Sequence, residues 1–464
     1  MKRIVLSMVV MLMGLTAASA QSVTPFKDGD RIVFLGDSIT DYSHYHSYIW
    51  LYYLTRFPDM DIRIYNAGIG GDTVLHMYER LDGDVFAKRP DVLLVTFGMN
   101  DTGYSENDVE DPLAYAEERY KECEANYAML EKRLKDAEGL RVVMMGGSPY
   151  DDCSGFQGEG IAARILKGKN AALKRVSRMQ QESAAENGWE FMDFHDGVLD
   201  VQKKMNESQP HWTFTTKDRI HPENDAQMLM ASIFLESQGF KGKKVADIRL
   251  DAPKKKVSLQ DNCEISSLLV DRNTISFDYL AESLPYPLDT VPRGWMIERC
   301  QADIEKLIPF NDTMNQEILA VDGLKGDWAL SIDGVELGTW SAQDWKKGVN
   351  MAELTFSPQY QQALEVMHLN ELRWEIERQF RIFAWIEYGF FQDKGVTDLT
   401  SKAAAELYES NKEQNGWLKG YRNDWEKLRS EGVRKARAQE IELLSQAMNQ
   451  ANKPRTHRII LKRR

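Results

Sequence analysis

The chain has 464 residues, 43% of them hydrophobic, and a net charge of −13 from 58 basic and 71 acidic side chains. A length prior of ~150 residues per domain predicts two or three domains with ample apolar material for a core. The acidic balance argues against a nucleic-acid partner, which needs a basic face.

The chain opens with Lys2 and Arg3, a short apolar run, and the small residues Ala18, Ser19 and Ala20. This order predicts a secretory signal over residues 1–20, cleaved after Ala20, and a periplasmic or secreted protein. The cleavage point has no cysteine to take a lipid anchor, and no later segment has the length and apolarity of a membrane span.

From residue 21 to 242, short apolar runs alternate with amphipathic stretches. "RIVFLG", "IRIYNAG", "DVLLVTFG", "RVVMMGG" and "WEFMDF" read as strands buried on both faces. Helical stretches are expected over 47–55, 115–138, 160–186 and 224–236. The alternation predicts an α/β fold, a three-layer doubly wound domain on a parallel five-stranded sheet. Ligands of such sheets bind beyond the carboxyl ends of the strands, where "GDS", "GIGGDT" and "GMND" would converge.

Residues 243–356 favour strands and predict a small antiparallel β element. Asp333-Gly334 in "WALSIDGVELGTW" signals a two-residue hairpin turn, which would pair Ile332 with Val335, Leu330 with Leu337 and Trp328 with Thr339. Residues 357–464 turn helical and are expected to pack on the rest. Leu364, Met367, Leu372, Ile376, Phe380 and Phe383 recur at helical spacing, as do Trp417, Tyr421, Trp425 and Leu428. The aromatic stripe could stack on sugar rings, but a helix–helix seam is the simpler reading. The basic tail "PRTHRIILKRR" reads as a charged edge strand or a solvated tail.

The chemistry centres on Ser38, which follows the first strand in "RIVFLGDSITD". A nucleophilic serine needs a base, a partner for the base and donors for an oxyanion. Of the eight histidines, His221 in "KDRIHPE" has an aspartate, Asp218, three residues before it to hold the imidazole. Asn100 in "GMND" would bring its amide to a strand's carboxyl end, and the glycines of "NAGIGGDT" would let a backbone N–H approach a substrate. The N–H of Ser38 is a further donor if it starts a helix. Tyr42, His44, Tyr45 and His46 follow the nucleophile and could bind sugar, or else fill the first helix.

Two glycine motifs fail here: "GIGGDT" lacks the third glycine of a dinucleotide site, and Thr40 stands where a nucleophile elbow needs glycine. Cys123, Cys153, Cys263 and Cys300 make no Cys/His cluster. They fit either a sequence-near pairing (Cys123 with Cys153, Cys263 with Cys300) or four free thiols. No metal or cofactor is expected.

The blocks "GDSIT", "GGDT", "GMND" and "DRIH" together resemble the SGNH (GDSL-type) hydrolase superfamily over residues 31–222. By that resemblance Ser38 is the nucleophile, His221 with Asp218 forms base and orienter, and Gly71 and Asn100 complete the oxyanion hole with Ser38. The region after residue 242 resembles extensions on SGNH proteins of glycan-degrading bacteria and carries no residue role across. The expectation is a serine esterase acting on O-acyl groups of carbohydrate, acetyl foremost. The alternatives are a lipase or thioesterase of the same family, or a glycan-binding scaffold with little turnover.

Overall fold

The computed structural model describes residues 22–105, 107–158 and 163–464, so the expected signal segment lies outside the described residues. The catalytic part runs β1 (Arg31–Gly36), α1 (Ser38–Asp41), α2 (Tyr45–Arg56), β2 (Arg63–Gly68), α3 (Val74–Glu79), β3 (Val92–Val95), α4 (Pro112–Lys135), β4 (Arg141–Gly146), α5 (Lys169–Asn187), β5 (Glu190–Asp193), α6 (His195–Ser208) and α7 (Asn224–Ser237). Its strands form one parallel sheet in the order β2-β1-β3-β4-β5. Alternation along β1 sends Ile32 and Phe34 into the core under α2 and α7, and Val33 and Leu35 into the core under α4. The strand order reverses between β1 and β3, so a crevice opens beyond their carboxyl ends. Ser38 follows one of these strands and Asn100 the other.

The helix expected over 160–186 begins at Lys169; four of its expected residues or neighbours, 159–162, lie outside the described residues. Gly168, at φ +83°, holds the left-handed conformation that stops the helix running further back. The short helices α1 and α3 were not read from the pattern, because a single turn or two gives little periodicity. Helix α6, at 14 residues, was missed as well.

The extension contains β6 (Ala246–Asp251), β7 (Lys256–Asp261), β8 (Cys263–Val270), β9 (Thr274–Ala281), α8 (Phe310–Met314), β10 (Glu317–Asp322), β11 (Asp327–Ile332), β12 (Val335–Ser341), α9 (Ala342–Lys347) and β13 (Val349–Asn350). It continues with α10 (Pro358–Ile386), α11 (Lys402–Asn411), α12 (Gly416–Leu428), α13 (Glu431–Ala451) and β14 (His457–Arg463). The strands make two sheets around a shared core, β13-β10-β6-β7 and the antiparallel β12-β11-β14-β9-β8.

Two expectations are corrected here. The basic tail is β14, a central strand between β11 and β9 rather than an edge strand or solvated tail. Its alternate residues Ile459 and Leu461 are buried, while Arg458 reaches sideways to Asp278 at 2.9 Å. In the hairpin, Ile332 does face Val335, but Leu330 faces Gly338 and Trp328 faces Trp340. A bulge takes up Leu337 and shifts the register by one residue beyond it. All four cysteines are free thiols, Cys123 and Cys263 buried.

Helix α10 lies against the catalytic part. Its contact face is partly polar: Asn370 donates to the Ser47 carbonyl at 3.1 Å, Glu377 accepts the Asn66 N–H at 2.8 Å, and Arg381 donates to the Gly68 carbonyl at 3.0 Å. Spacings of seven and four residues put these three on one stripe. Leu372, read as part of an inward apolar face, is half exposed instead.

Candidate active site

Ser38 is the first residue of α1. Asp37 caps that helix by accepting the Ile39 N–H at 2.9 Å, which leaves the serine at the mouth of the crevice. Burial pushes the Asp37 carboxyl up to about 7, against the Ile39 N–H and the charge of His221, which favour the ionised form.

His221 stands 2.8 Å from Ser38 Oγ through Nε2 and 2.5 Å from Asp218 Oδ2 through Nδ1. A proton on Nδ1 pointing at Asp218 leaves Nε2 free to accept from the serine hydroxyl. The other oxygen of Asp218 accepts the N–H groups of Ile220 at 2.8 Å and His221 at 2.9 Å. Burial opposes ionisation of Asp218, but the His221 hydrogen bond and charge, with these backbone donors, hold its carboxyl below the usual range. The four-residue unit is not helical. Arg219 takes φ +67° and turns the chain so that the histidine ring comes back over the aspartate.

Asn100 follows β3. Its Nδ2 donates to the Asp72 carbonyl at 2.8 Å and its Oδ1 accepts from the Tyr104 hydroxyl at 2.8 Å. The second hydrogen on Nδ2 is then aimed by two fixed contacts. Asp101 beside it accepts the Val74 N–H at 2.9 Å and the Gly98 N–H at 3.0 Å, tying the loop after β3 to the start of α3.

The two glycines of the turn after β2 differ in their surroundings. Gly70 donates its N–H to Asp41 at 3.0 Å, and a Cβ there would meet the Tyr42 hydroxyl at 2.7 Å. Gly71 sits at φ +89° with open space where a Cβ would be. The Gly70 N–H is therefore committed, and the Gly71 N–H makes no backbone or side-chain hydrogen bond among the described residues. Asp72 then pairs with Arg80 at 2.7 Å, and Arg80 pairs with Asp84 at 2.6 Å.

The histidines after the nucleophile turn inward. His44 and His46 are fully buried, with the His44 ring centroid 3.8 Å from that of Trp374, and burial pushes His46 down to about 4. Tyr45 is buried as well. Tyr42 alone of that group reaches the crevice, its ring centroid 6.2 Å from that of His221. Around it stand Trp295, which the sequence did not mark, 6.1 Å from His221 between ring centroids, and Trp417 of the aromatic stripe, nearly parallel to Tyr42 at 6.3 Å. No group of three or more His, Cys, Asp or Glu side chains is placed to hold a metal ion among the described residues. No helix among them is long and apolar enough to cross a membrane.

Residues 34–228 match the GDSL-like lipase/acylhydrolase family, and residues 364–453 match the diltiazem deacetylase C-terminal helical domain. The fold and these matches define a carboxylic ester hydrolase of the SGNH type. The solved structure of a gut microbial diltiazem-metabolizing enzyme is 48% identical, covers 96% of this chain and 100% of that one, and superposes with a TM-score of 0.93. An acetylxylan esterase of Geobacillus stearothermophilus is 25% identical over 227 residues, 46% of this chain and 95% of that protein. The chain belongs to the GDSL-like lipase/acylhydrolase family and carries a C-terminal extension.

Proposed function

We propose that this chain is an exported acetylesterase working through Ser38, His221 and Asp218. Ser38 Oγ attacks the ester carbonyl carbon while His221 Nε2 takes its proton. The oxyanion is held by the N–H groups of Ser38 and Gly71 and by the Asn100 amide. Collapse breaks the bond to the alcohol oxygen, which leaves with the proton from His221. Water then attacks the acyl-serine, gives its proton to His221, and releases the acid with Ser38 restored. The observation that carries this reading is the relay of 2.8 Å and 2.5 Å from Ser38 through His221 to Asp218.

The substrate we propose is an O-acetyl group on carbohydrate. The acetylxylan esterase similarity and the secretory character of residues 1–20 support it. A second reading, an acetate ester of a bulky aromatic alcohol, is favoured by the 48% identity to the diltiazem-metabolizing enzyme. The test is acetate release from acetylated xylan, diltiazem and short acyl esters by wild type and Ser38→Ala. A folded Ser38→Ala protein is expected to release none; wild-type rates in that variant would overturn the nucleophile assignment.

A further inference from the structure

The rings around the relay form a chain that the hydrolytic steps do not use. Ring centroids lie 6.1 Å apart from Trp295 to Trp417, 5.8 Å from Trp417 to Tyr421, and 5.6 Å from Tyr421 to Trp385. Tyr42 stands against both Trp295 and Trp417, and its hydroxyl lies 3.3 Å from that of Tyr421. A cavity of about 470 Å³ adjoins one end, lined by Tyr42, Trp295 and Trp374 with Glu375 and Arg378. Another of about 150 Å³ adjoins the other end, between Gly70 and Gly71 on one side and Trp385 and Tyr388 on the other. The row thus runs from beside His221 to the glycine turn.

Three observations separate this row from an ordinary core. First, Trp295 is 49% exposed and Trp417 44% exposed, a large apolar area left in water beside a reactive serine. Second, Trp295 is held out at a conformational cost. Gly294 has φ +112° and Met296 φ +59°, and a side-chain-bearing residue in that region is uncommon. Third, the strained segment is fastened to the residues directly after His221. Asn224 accepts the Arg293 N–H at 2.7 Å and donates to the Arg293 carbonyl at 3.0 Å. Glu223 accepts the N–H groups of Glu298 at 2.9 Å and Arg299 at 3.0 Å, and Asp225 pairs with Arg299 at 2.6 Å. The placement of Trp295 is therefore fixed relative to the base.

We infer that Trp295, Tyr42, Trp417, Tyr421 and Trp385 form one aromatic wall that binds the alcohol part of the ester, and that this alcohol is a rigid ring system with flat apolar faces. The inference rests on the esterase reading and adds what selects the substrate. Indole and phenol faces attract the C–H face of a pyranose and the face of an aromatic ring alike. Trp417 and Tyr421 come from α12, Trp385 from α10 and Trp295 from the segment between β9 and α8, so the extension supplies four of the five rings and the catalytic part only Tyr42.

The test compares kcat/KM on acetylated xylo-oligosaccharide, diltiazem and ethyl acetate for wild type, Trp295→Ala, Trp417→Ala and Trp417→Phe. Each alanine variant is expected to lose about tenfold or more on at least one ring-bearing ester beyond any loss on ethyl acetate, mainly through KM. Trp417→Phe should recover most of that loss, since it restores a stacking face. Whichever ring ester is selectively affected names the source of the ring. Equal losses on all three esters, in a wild type that hydrolyses them, would defeat the wall and leave the esterase reading standing. A wild type inert on all three would defeat both.

Discussion

Replacing Arg381 by methionine tests how α10 supports the site. The Arg381 side chain is 2% exposed. It donates to both oxygens of Asp84, at 2.9 and 2.7 Å, and to the Gly68 carbonyl at 3.0 Å. Methionine keeps much of the apolar stem and removes every donor. Stripping a buried carboxylate of its partner costs about 3–5 kcal/mol, but Asp84 keeps Arg80 at 2.6 Å and also Lys88. The Gly68 carbonyl loses this donor, at about 1–3 kcal/mol. A loss of roughly 2–4 kcal/mol follows, with Arg381→Lys losing about half as much because an ammonium cannot make the fork. Urea denaturation at constant m-value measures it, and a cycle with Asp84→Asn isolates the pair. Gly68 leads directly into the turn of Gly70 and Gly71, so kcat should fall with stability. A change below about 0.5 kcal/mol with kcat intact would refute the reasoning, since that is the range of an ordinary surface substitution.

Asn100→Ala is expected to lower kcat by ~10²–10³ with little change in KM, the scale of one lost oxyanion donor; a loss confined to KM would make Asn100 a binding residue. Glu317→Gln should flatten the pH dependence of stability. Burial pushes the Glu317 carboxyl up to about 7 from an ordinary 4.5, against hydrogen bonds from Tyr279 and Gln359. Between those values the native state holds the proton more tightly than the unfolded chain, so wild-type stability is full below about pH 4.5 and falls as pH rises through 7. The fall is on the order of 3 kcal/mol by pH 8. Urea midpoints at pH 4.5 and 8 check it, and identical slopes in both proteins would refute it. Truncation after Gly242 should give an aggregating or much less stable protein, because it removes the Glu377 and Arg381 contacts to Asn66, Gly68 and Asp84; a soluble fragment of unchanged melting temperature would overturn this.

The parallel sheet was legible because its inner strands β1, β3 and β4 are short runs buried on both faces, and such runs carry their own signature. Ser38 and His221 were legible because each stands in a compact motif, and the structure brings their side chains within 2.8 Å of each other. Asp218 and His221 were paired on their three-residue spacing, yet their approach depends on a left-handed Arg219 that no residue preference announces. Trp295 was invisible as a site residue, and Trp417 was weighed for sugar stacking but set aside for a helix seam, since over a hundred positions separate the two and only the packing of α12 brings them together. The tail misled for a related reason. Its charges dominate the reading, while the partners that make it a central strand lie in β9 and β11, far back along the chain. The polar stripe on α10 was missed because hydrophobic periodicity registers only apolar faces.

The position of β14 also governs when this molecule can exist as a folded object. His457 pairs with Tyr279 and Ile459 with Phe277, so β9 waits for its neighbour until the far end of the chain has been made. On a ribosome, β9 and β11 each keep one open edge from their own synthesis until β14 is made. Closing so long a loop is slow, and unpaired edges invite mispairing meanwhile. A chain that lacks β14 would leave the five-stranded sheet split into β12-β11 and β9-β8, each with an unpaired edge.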